Sequence, residues 1–211
     1  MSAIKRILCY GDSNTWGHDP VTNDRLDETT RWTRVLGQAL GEGYEVIEEG
    51  LGGRTTVWDD PIEGYKNGRE YLIPCLESHR PLDLVIILLG TNDLKMRFSL
   101  SAFDIAQGAG VLVRQVQLSQ AGRGGENPPV LLLAPPPIAP LTDYAEMFAG
   151  AEEKSRRFSV HFERVAREMA CSFLDTAQVV VSSPLDGIHL ERQEHRKLGK
   201  AVAVKVKERI G

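Results

Sequence analysis

The sequence is short of cysteine, of long apolar runs and of surplus positive charge, and each shortage removes a class of protein. Its three cysteines are Cys9, Cys75 and Cys171. Their number is odd, their spacing is wide and no CxxC pair occurs, which excludes a zinc ribbon or a thioredoxin-like motif. Cys9 and Cys171 read as small buried hydrophobes, and this usage fits a reducing cytoplasm. The longest apolar run, Leu84 to Leu89, is far too short to span a bilayer. The run Ile7 to Tyr10 is too short for a signal-peptide core, and no small-residue cleavage site follows it. The expectation is an unexported, cytoplasmic protein with no membrane partner. The formal net charge is −4, and no basic stripe with interleaved aromatics appears, so no nucleic-acid partner is expected. The mildly basic stretches Lys154 to Arg157 and Lys205 to Lys207 read as solvated helix faces.

What is present suits one globular domain over residues 1–211. Five apolar runs lack polar alternation, as strands of a parallel sheet buried on both faces do. They are Ile4 to Tyr10, Tyr44 to Ile47, Leu84 to Leu89, Val130 to Ala134 and Ser172 to Leu174. Helical periodicity fills the intervals at Trp32 to Leu40, Glu70 to Ser78, Ala102 to Leu118, Glu152 to Met169 and Gln193 to Ile210. Strand and helix alternate, so the expected class is α/β, a three-layer α/β/α sandwich around a central five-stranded parallel sheet. In such sheets a site lies beyond the carboxyl ends of the strands.

Four strand-end or late-loop segments meet that test. The first strand runs into Gly11-Asp12-Ser13-Asn14, where the glycine permits a tight turn and the serine hydroxyl can meet a base. Asp12, Ser13 and Asn14 equally suit a turn or a helix cap. The second strand runs into Gly50-Leu51-Gly52-Gly53-Arg54-Thr55-Thr56. Its glycine spacing is not that of a dinucleotide fingerprint. The third runs into Gly90-Thr91-Asn92-Asp93, whose asparagine amide can face an oxyanion or close on its own backbone. Near the C-terminus, Asp186-Gly187-Ile188-His189 can hold a carboxylate against one imidazole nitrogen and leave the other as a base. Each segment is commonplace alone. Together they supply every part of acyl transfer: Ser13 as nucleophile, His189 as general base and acid, and Asp186 to orient it. The oxyanion donors would be the Ser13 N–H, the Gly53 N–H and Asn92 Nδ2.

The order Gly-Asp-Ser, glycine loop, Gly-Thr-Asn-Asp and Asp-x-x-His resembles the SGNH hydrolases, the GDSL esterases and lipases, over nearly the whole chain. Ser13, Gly53, Asn92 and His189 match the four residues that name the family, and Asp186 matches its third triad member. The resemblance implies a flavodoxin-like SGNH hydrolase fold. Asn14 departs from the leucine of the family tetrapeptide. That residue is not catalytic in the family, so only substrate inference is touched. The segments from Arg6 to Ser13, Glu45 to Thr56, Leu82 to Asp93 and Asp186 to His189 are most similar to the arylesterase/acyltransferase branch of mycobacterial type. This implies a serine esterase on small short-chain acyl or aryl esters, without metal or cofactor, assembled as a homo-oligomer. Acyl transfer to an alcohol and carbohydrate deacetylation are alternatives on the same site. A non-catalytic binding protein of the same fold is a third.

Trp16, Lys95 and Phe148 are candidates for the pocket wall. Core packing, a solvated lysine and partner burial are their respective plainer readings. His18, His79, His161 and His195 read as surface or satisfied core residues, and no metal site is expected.

Overall fold

The five apolar runs become one parallel sheet, in which Leu84–Leu88 and Val130–Ala134 are buried throughout, Lys5–Gly11 over most of its length, and the edge strands Tyr44–Gly50 and Ser172–Asp175 are only partly buried. The computed structural model describes residues 4–211. In chain order the elements are β1 (Lys5–Gly11), α1 (Ser13–Trp16), β2 (His18–Asp19), β3 (Asp24–Arg25), α2 (Trp32–Leu40), β4 (Tyr44–Gly50) and α3 (Gly68–His79). Then follow β5 (Leu84–Leu88), α4 (Ala102–Val116), β6 (Val130–Ala134), α5 (Ala151–Ser155), α6 (Phe158–Glu168), β7 (Ser172–Asp175) and α7 (Arg192–Ile210). The sheet order is β4-β1-β5-β6-β7. All its pairings are parallel, with Ile7 of β1 opposite Val46 of β4 and Leu84 of β5. The pair β2 and β3 forms a separate small antiparallel ribbon.

Alternate strand residues feed two cores. Leu8, Tyr10, Val85, Ile87 and Leu132 pack with α3, α4 and α6 on one side. Ile7, Cys9, Leu84, Ile86 and Leu131 pack with Trp32 and Leu36 of α2 and Leu198 and Val202 of α7 on the other. This is the expected three-layer sandwich. A fully buried aliphatic side chain contributes about 1.5–3 kcal/mol. The central strands β1, β5 and β6 carry such side chains on both faces, so neither helical layer is dispensable.

The strand order also selects the place of the site. The chain leaves β1 towards β4 and leaves β5 towards β6. A crevice therefore opens at the carboxyl ends between β1 and β5.

Two elements differ from expectation. The single helix read over Glu152 to Met169 is two helices, α5 and α6, interrupted at Arg156 and Arg157. Ser155 explains the break. Its hydroxyl donates to Glu152 O at 3.0 Å and accepts the Ile138 N–H at 2.9 Å, so a tertiary contact is satisfied where the helix ends. The one-turn helix α1 carries too few residues to show a periodicity. Its bounds come from Asp12 at its start and Gly17, at φ +94°, at its end.

Candidate active site

The β1 strand delivers a serine to the crevice by a steric device. A Cβ on Gly11 would lie 2.0 Å from Thr15 Oγ1 and 2.8 Å from Leu88 O, so only glycine lets the chain turn there. Asp12 then caps α1, its Oδ1 accepting the Asn14 N–H at 3.0 Å. The cap and the nucleophile position therefore coexist in one tetrapeptide. Ser13 is the first residue of α1 and remains half-buried.

The chain from Asp186 to His189 closes on itself. Asp186 Oδ1 accepts the Ile188 N–H at 2.8 Å and the His189 N–H at 2.9 Å. Gly187, at φ +83°, sits where a Cβ would meet Ala139 O at 2.8 Å. The other carboxylate oxygen, Oδ2, lies 2.6 Å from His189 Nδ1, and His189 Nε2 lies 3.0 Å from Ser13 Oγ. The Ser13, His189 and Asp186 side chains thus form one continuous hydrogen-bonded relay, although Ser13 and His189 stand at opposite ends of the sequence. Burial alone would raise the Asp186 carboxyl. The His189 ring and the two backbone N–H donors outweigh it and hold the group at about 2.

Asn14 joins the two ends. It is buried, its Oδ1 accepts the Leu190 N–H at 3.0 Å, and its Nδ2 reaches Ile188 O at 3.5 Å. One side chain therefore holds both neighbours of His189. The departure from leucine is a positional feature as well as a difference from the family tetrapeptide.

Two more segments close over Ser13. The loop after β4 places Gly53 in the left-handed region, at φ +80°. A Cβ on Gly53 would fall 2.6 Å from Glu63 Oε2. After β5, Asn92 opens a single 3-10 turn, and its Nδ2 donates to Arg54 O at 3.2 Å. The amide has a second N–H, which is left for a ligand. Asp93 reaches beyond its own turn. It is fully buried and accepts the Thr56 N–H at 3.1 Å, tying the two loops together. Burial pushes both Asp93 and Asp12 up to about 6.

Ser13, Gly53, Asn92 and His189 line a common cavity of about 230 Å³. Lys95 and Phe148 line it as well. Lys95 is not solvated. It is buried against Glu63, with Nζ to Oε1 at 2.5 Å, and it reaches Asp60 at 3.5 Å. Trp16 does not line the cavity. Its ring instead carries the Arg25 guanidinium at 5.4 Å. The expectation for Trp16 is corrected accordingly.

His18, Glu63, Tyr144, Met147 and Ile188 complete the wall. The His18 ring centroid is 4.0 Å from that of His189, and Tyr144 meets His189 edge-on at 6.5 Å. Burial, then the neighbouring His189, pushes His18 below the usual histidine range. His18 follows Gly17 directly, so closeness to Ser13 in sequence was its only available signal. Nothing local marks Tyr144 or Glu63.

Among the described residues, two groups of side chains lie close enough to share a metal ion, His18 with Asp186 and His189, and Glu49 with Cys75 and His79. The first is engaged in the Ser13 relay. In the second, burial pushes the Cys75 thiol up to about 12, and Glu49 is already 2.7 Å from His79 Nε2.

An alcohol hydrogen-bonded to a carboxylate-backed imidazole, with amide donors facing the same space, can attack an acyl carbon and hold the resulting oxyanion. The comparisons agree with that chemistry. The model of the GDSL-like lipase/acylhydrolase family matches residues 9–197. The structure of the native M. smegmatis aryl esterase is 44% identical, covers 98% of this chain and 100% of its own, and superposes with a TM-score of 0.94. Est24, a carbohydrate acetylesterase from Sinorhizobium meliloti, is 43% identical over 97% of this chain and 99% of its own, with a TM-score of 0.93. A further carbohydrate acetylesterase family member from S. meliloti is 37% identical over 99% of this chain and 100% of its own, at 0.94. No curated protein matches the chain.

Proposed function

From the premise that the chain belongs to the GDSL-like lipase/acylhydrolase family and is a carboxylic ester hydrolase, we propose that it cleaves short-chain acyl esters through Ser13, His189 and Asp186. The observation that carries this reading is the relay of 3.0 Å and 2.6 Å from Ser13 Oγ through His189 to Asp186. Ser13 Oγ attacks the ester carbonyl while His189 Nε2 takes its proton. Asp186 stabilises the imidazolium that forms. The oxyanion is held by the Ser13 N–H, the Gly53 N–H and the free N–H of Asn92. Collapse expels the alcohol, which takes the proton from His189. Water then attacks the acyl-enzyme with His189 again as base, and the acid is released.

The cavity supports a small acyl group. It encloses about 230 Å³, and Tyr144, Met147 and buried Phe148 bound it on an apolar side. Lys95, Glu63 and His18 make another part of the lining polar, which suits a hydroxylated leaving group. This favours acetyl esters, including those of sugars, as in the two acetylesterase relatives. An alcohol that replaces water at the acyl-enzyme would give acyl transfer on the same site.

In this reading the whole chain acts as one domain, the resemblance supports self-association, and the three free cysteines suit a reducing, cytoplasmic setting. Exposed Ile62 and Met96 beside the cavity offer apolar surface for a second copy. Among the described residues no helix is long and apolar enough to cross a membrane.

The test is hydrolysis of p-nitrophenyl acetate by wild type and Ser13→Ala, with p-nitrophenyl octanoate in parallel. Loss of acetate turnover in the variant, with little octanoate turnover in wild type, is the expected result. Equal rates for the two proteins would remove Ser13 as the nucleophile.

A further inference from the structure

A second and larger cavity, about 470 Å³, lies outside the Ser13 relay. Its lining includes Arg54, Tyr71, Tyr65, Glu49, Glu70 and Asn67, and none of Ser13, Asp186 or His189. The two cavities share a wall. Gly50 and Leu51 face the larger one, while Gly52 and Gly53 of the same loop face the smaller. The loop is pinned between them by the Leu51 N–H to Gly11 O at 3.1 Å and the Arg54 N–H to Leu51 O at 3.1 Å.

The floor is Arg54, a buried arginine whose Nη1 donates to Gly11 O at 2.9 Å and to Glu49 O. Among the described residues the guanidinium's hydrogen bonds to protein run through Nη1 alone, so Nε and Nη2 remain available as donors. Its guanidinium lies 4.2 Å from the Tyr10 ring centroid and 5.4 Å from that of Tyr71. Tyr71 stacks beside Tyr10 at 6.4 Å yet is 44% exposed, so one side of its ring has no protein covering it. At the rim, Tyr65 is fully exposed and has φ +62°, a left-handed backbone that costs a tyrosine about 1 kcal/mol or more. A strained residue whose ring packs on nothing is a common mark of a ligand clamp.

The chemistry of the lining narrows the ligand. Two tyrosine faces ask for a flat apolar surface. Two carboxylates, an amide and a guanidinium ask for hydroxyls around its edge. An anion would meet Glu49 and Glu70, and a plain aryl group would leave the polar rim unused. A neutral sugar ring has both an apolar C–H face and peripheral hydroxyls. We propose that this cavity is a second binding site, for the ring of a neutral carbohydrate, separate from the site that holds the ester and independent of Ser13.

The experiment titrates full-length Ser13→Ala with cellobiose, maltose and N,N′-diacetylchitobiose, followed by calorimetry or ligand-observed NMR. Saturable binding of at least one probe is expected. Adding Tyr71→Ala should weaken it tenfold or more, while Tyr71→Phe keeps it. Tyr65→Ala, whose side chain packs on nothing in the fold, should weaken it too and serves if Tyr71→Ala unfolds. In wild type the same sugar should leave the KM for p-nitrophenyl acetate unchanged, because it does not enter the Ser13 cavity. Absence of binding by all three probes, binding that neither tyrosine substitution weakens, or purely competitive inhibition of acetate hydrolysis would each overturn the proposal. None of these outcomes bears on whether Ser13 is the nucleophile.

Discussion

Replacing Asn14 by leucine, the residue of the family tetrapeptide, is the sharpest test of how the His189 loop is held. The substitution removes the acceptor for the Leu190 N–H, which lies at 3.0 Å, and the weaker donor to Ile188 O at 3.5 Å. Leu190 is fully buried, so water cannot replace the lost acceptor without rearrangement. An orphaned buried donor costs about 1–3 kcal/mol. For a chain of this length that corresponds to a fall in Tm of roughly 2–12 °C. The same two bonds hold the residues on either side of His189, and a misplacement of about 1 Å at a reacting group can cost roughly 10²-fold in rate. Thermal unfolding and p-nitrophenyl acetate kinetics should therefore show a lower Tm together with a kcat reduced about 10- to 100-fold, with KM much less affected. An unchanged Tm with an unchanged kcat would refute the reasoning. It would mean that the His189 loop is held by Asp186 and Gly187 alone.

Three further outcomes follow from the same geometry. Asp186→Asn keeps an acceptor for the Ile188 and His189 N–H groups and turns an amide towards His189 Nδ1, forcing the wrong imidazole tautomer. Its kcat should fall by about 10⁴-fold with little change in fold by circular dichroism, and a loss under tenfold would contradict the tautomer argument. Asn92→Ala removes one oxyanion donor and should lower kcat by about 10²–10³-fold at similar KM; a change confined to KM would place Asn92 outside the transition-state contacts. The third outcome concerns pH. Asp12 is fully buried, its Oδ2 has no partner among the described residues, and burial pushes it from its ordinary 3.8 up to about 6. Between those values the folded chain keeps a proton that the unfolded chain has released. Its contribution to stability therefore falls as pH rises through that window and is level above it. Asp93 adds to that fall, whereas buried His195, held down at about 3, and His18, also lowered, make stability rise with pH over the same window. Asp12→Asn should therefore remove one downward component, so that Tm climbs more, or falls less, with pH there than in wild type, and curves parallel to wild type would contradict the assignment.

The fold was legible in the sequence to the extent that burial leaves a local trace. Strands β1, β5 and β6 are covered on both faces, so their apolar runs are continuous and easy to see. The helix α2 ends at Leu40, the last residue of its helical periodicity, with Gly41 following. The split between α5 and α6 left no such trace, because the Ser155 contact that accompanies it reaches across to Ile138. The four short segments that bear Ser13, Gly53, Asn92 and the Asp186–His189 pair were visible for another reason. Glycine and the small polar residues are restricted in where a sharp turn can use them. Their side chains also act within a few residues of that turn.

The walls of the site belong to a different category. Lys95 reads locally as a surface lysine, and its burial depends on Asp60 and Glu63, which arrive from a distant loop. Trp16 reads as a neighbour of the nucleophile, yet the approach of Arg25 and the turn at Gly17 leave its ring outside the cavity. Tyr144, in a loop, and His18, on β2, meet His189 with no common sequence pattern. By itself, then, the sequence determined the layer architecture and pointed to the groups proposed to react, since periodicity and turn chemistry are properties of neighbouring residues. Only the tertiary structure decided which side chains surround the ester, what holds the His189 loop in register and that a second cavity backs onto the same glycine loop. Those features are contacts between segments far apart in the chain, and their geometry exists only once the sheet has set the distance between its loops.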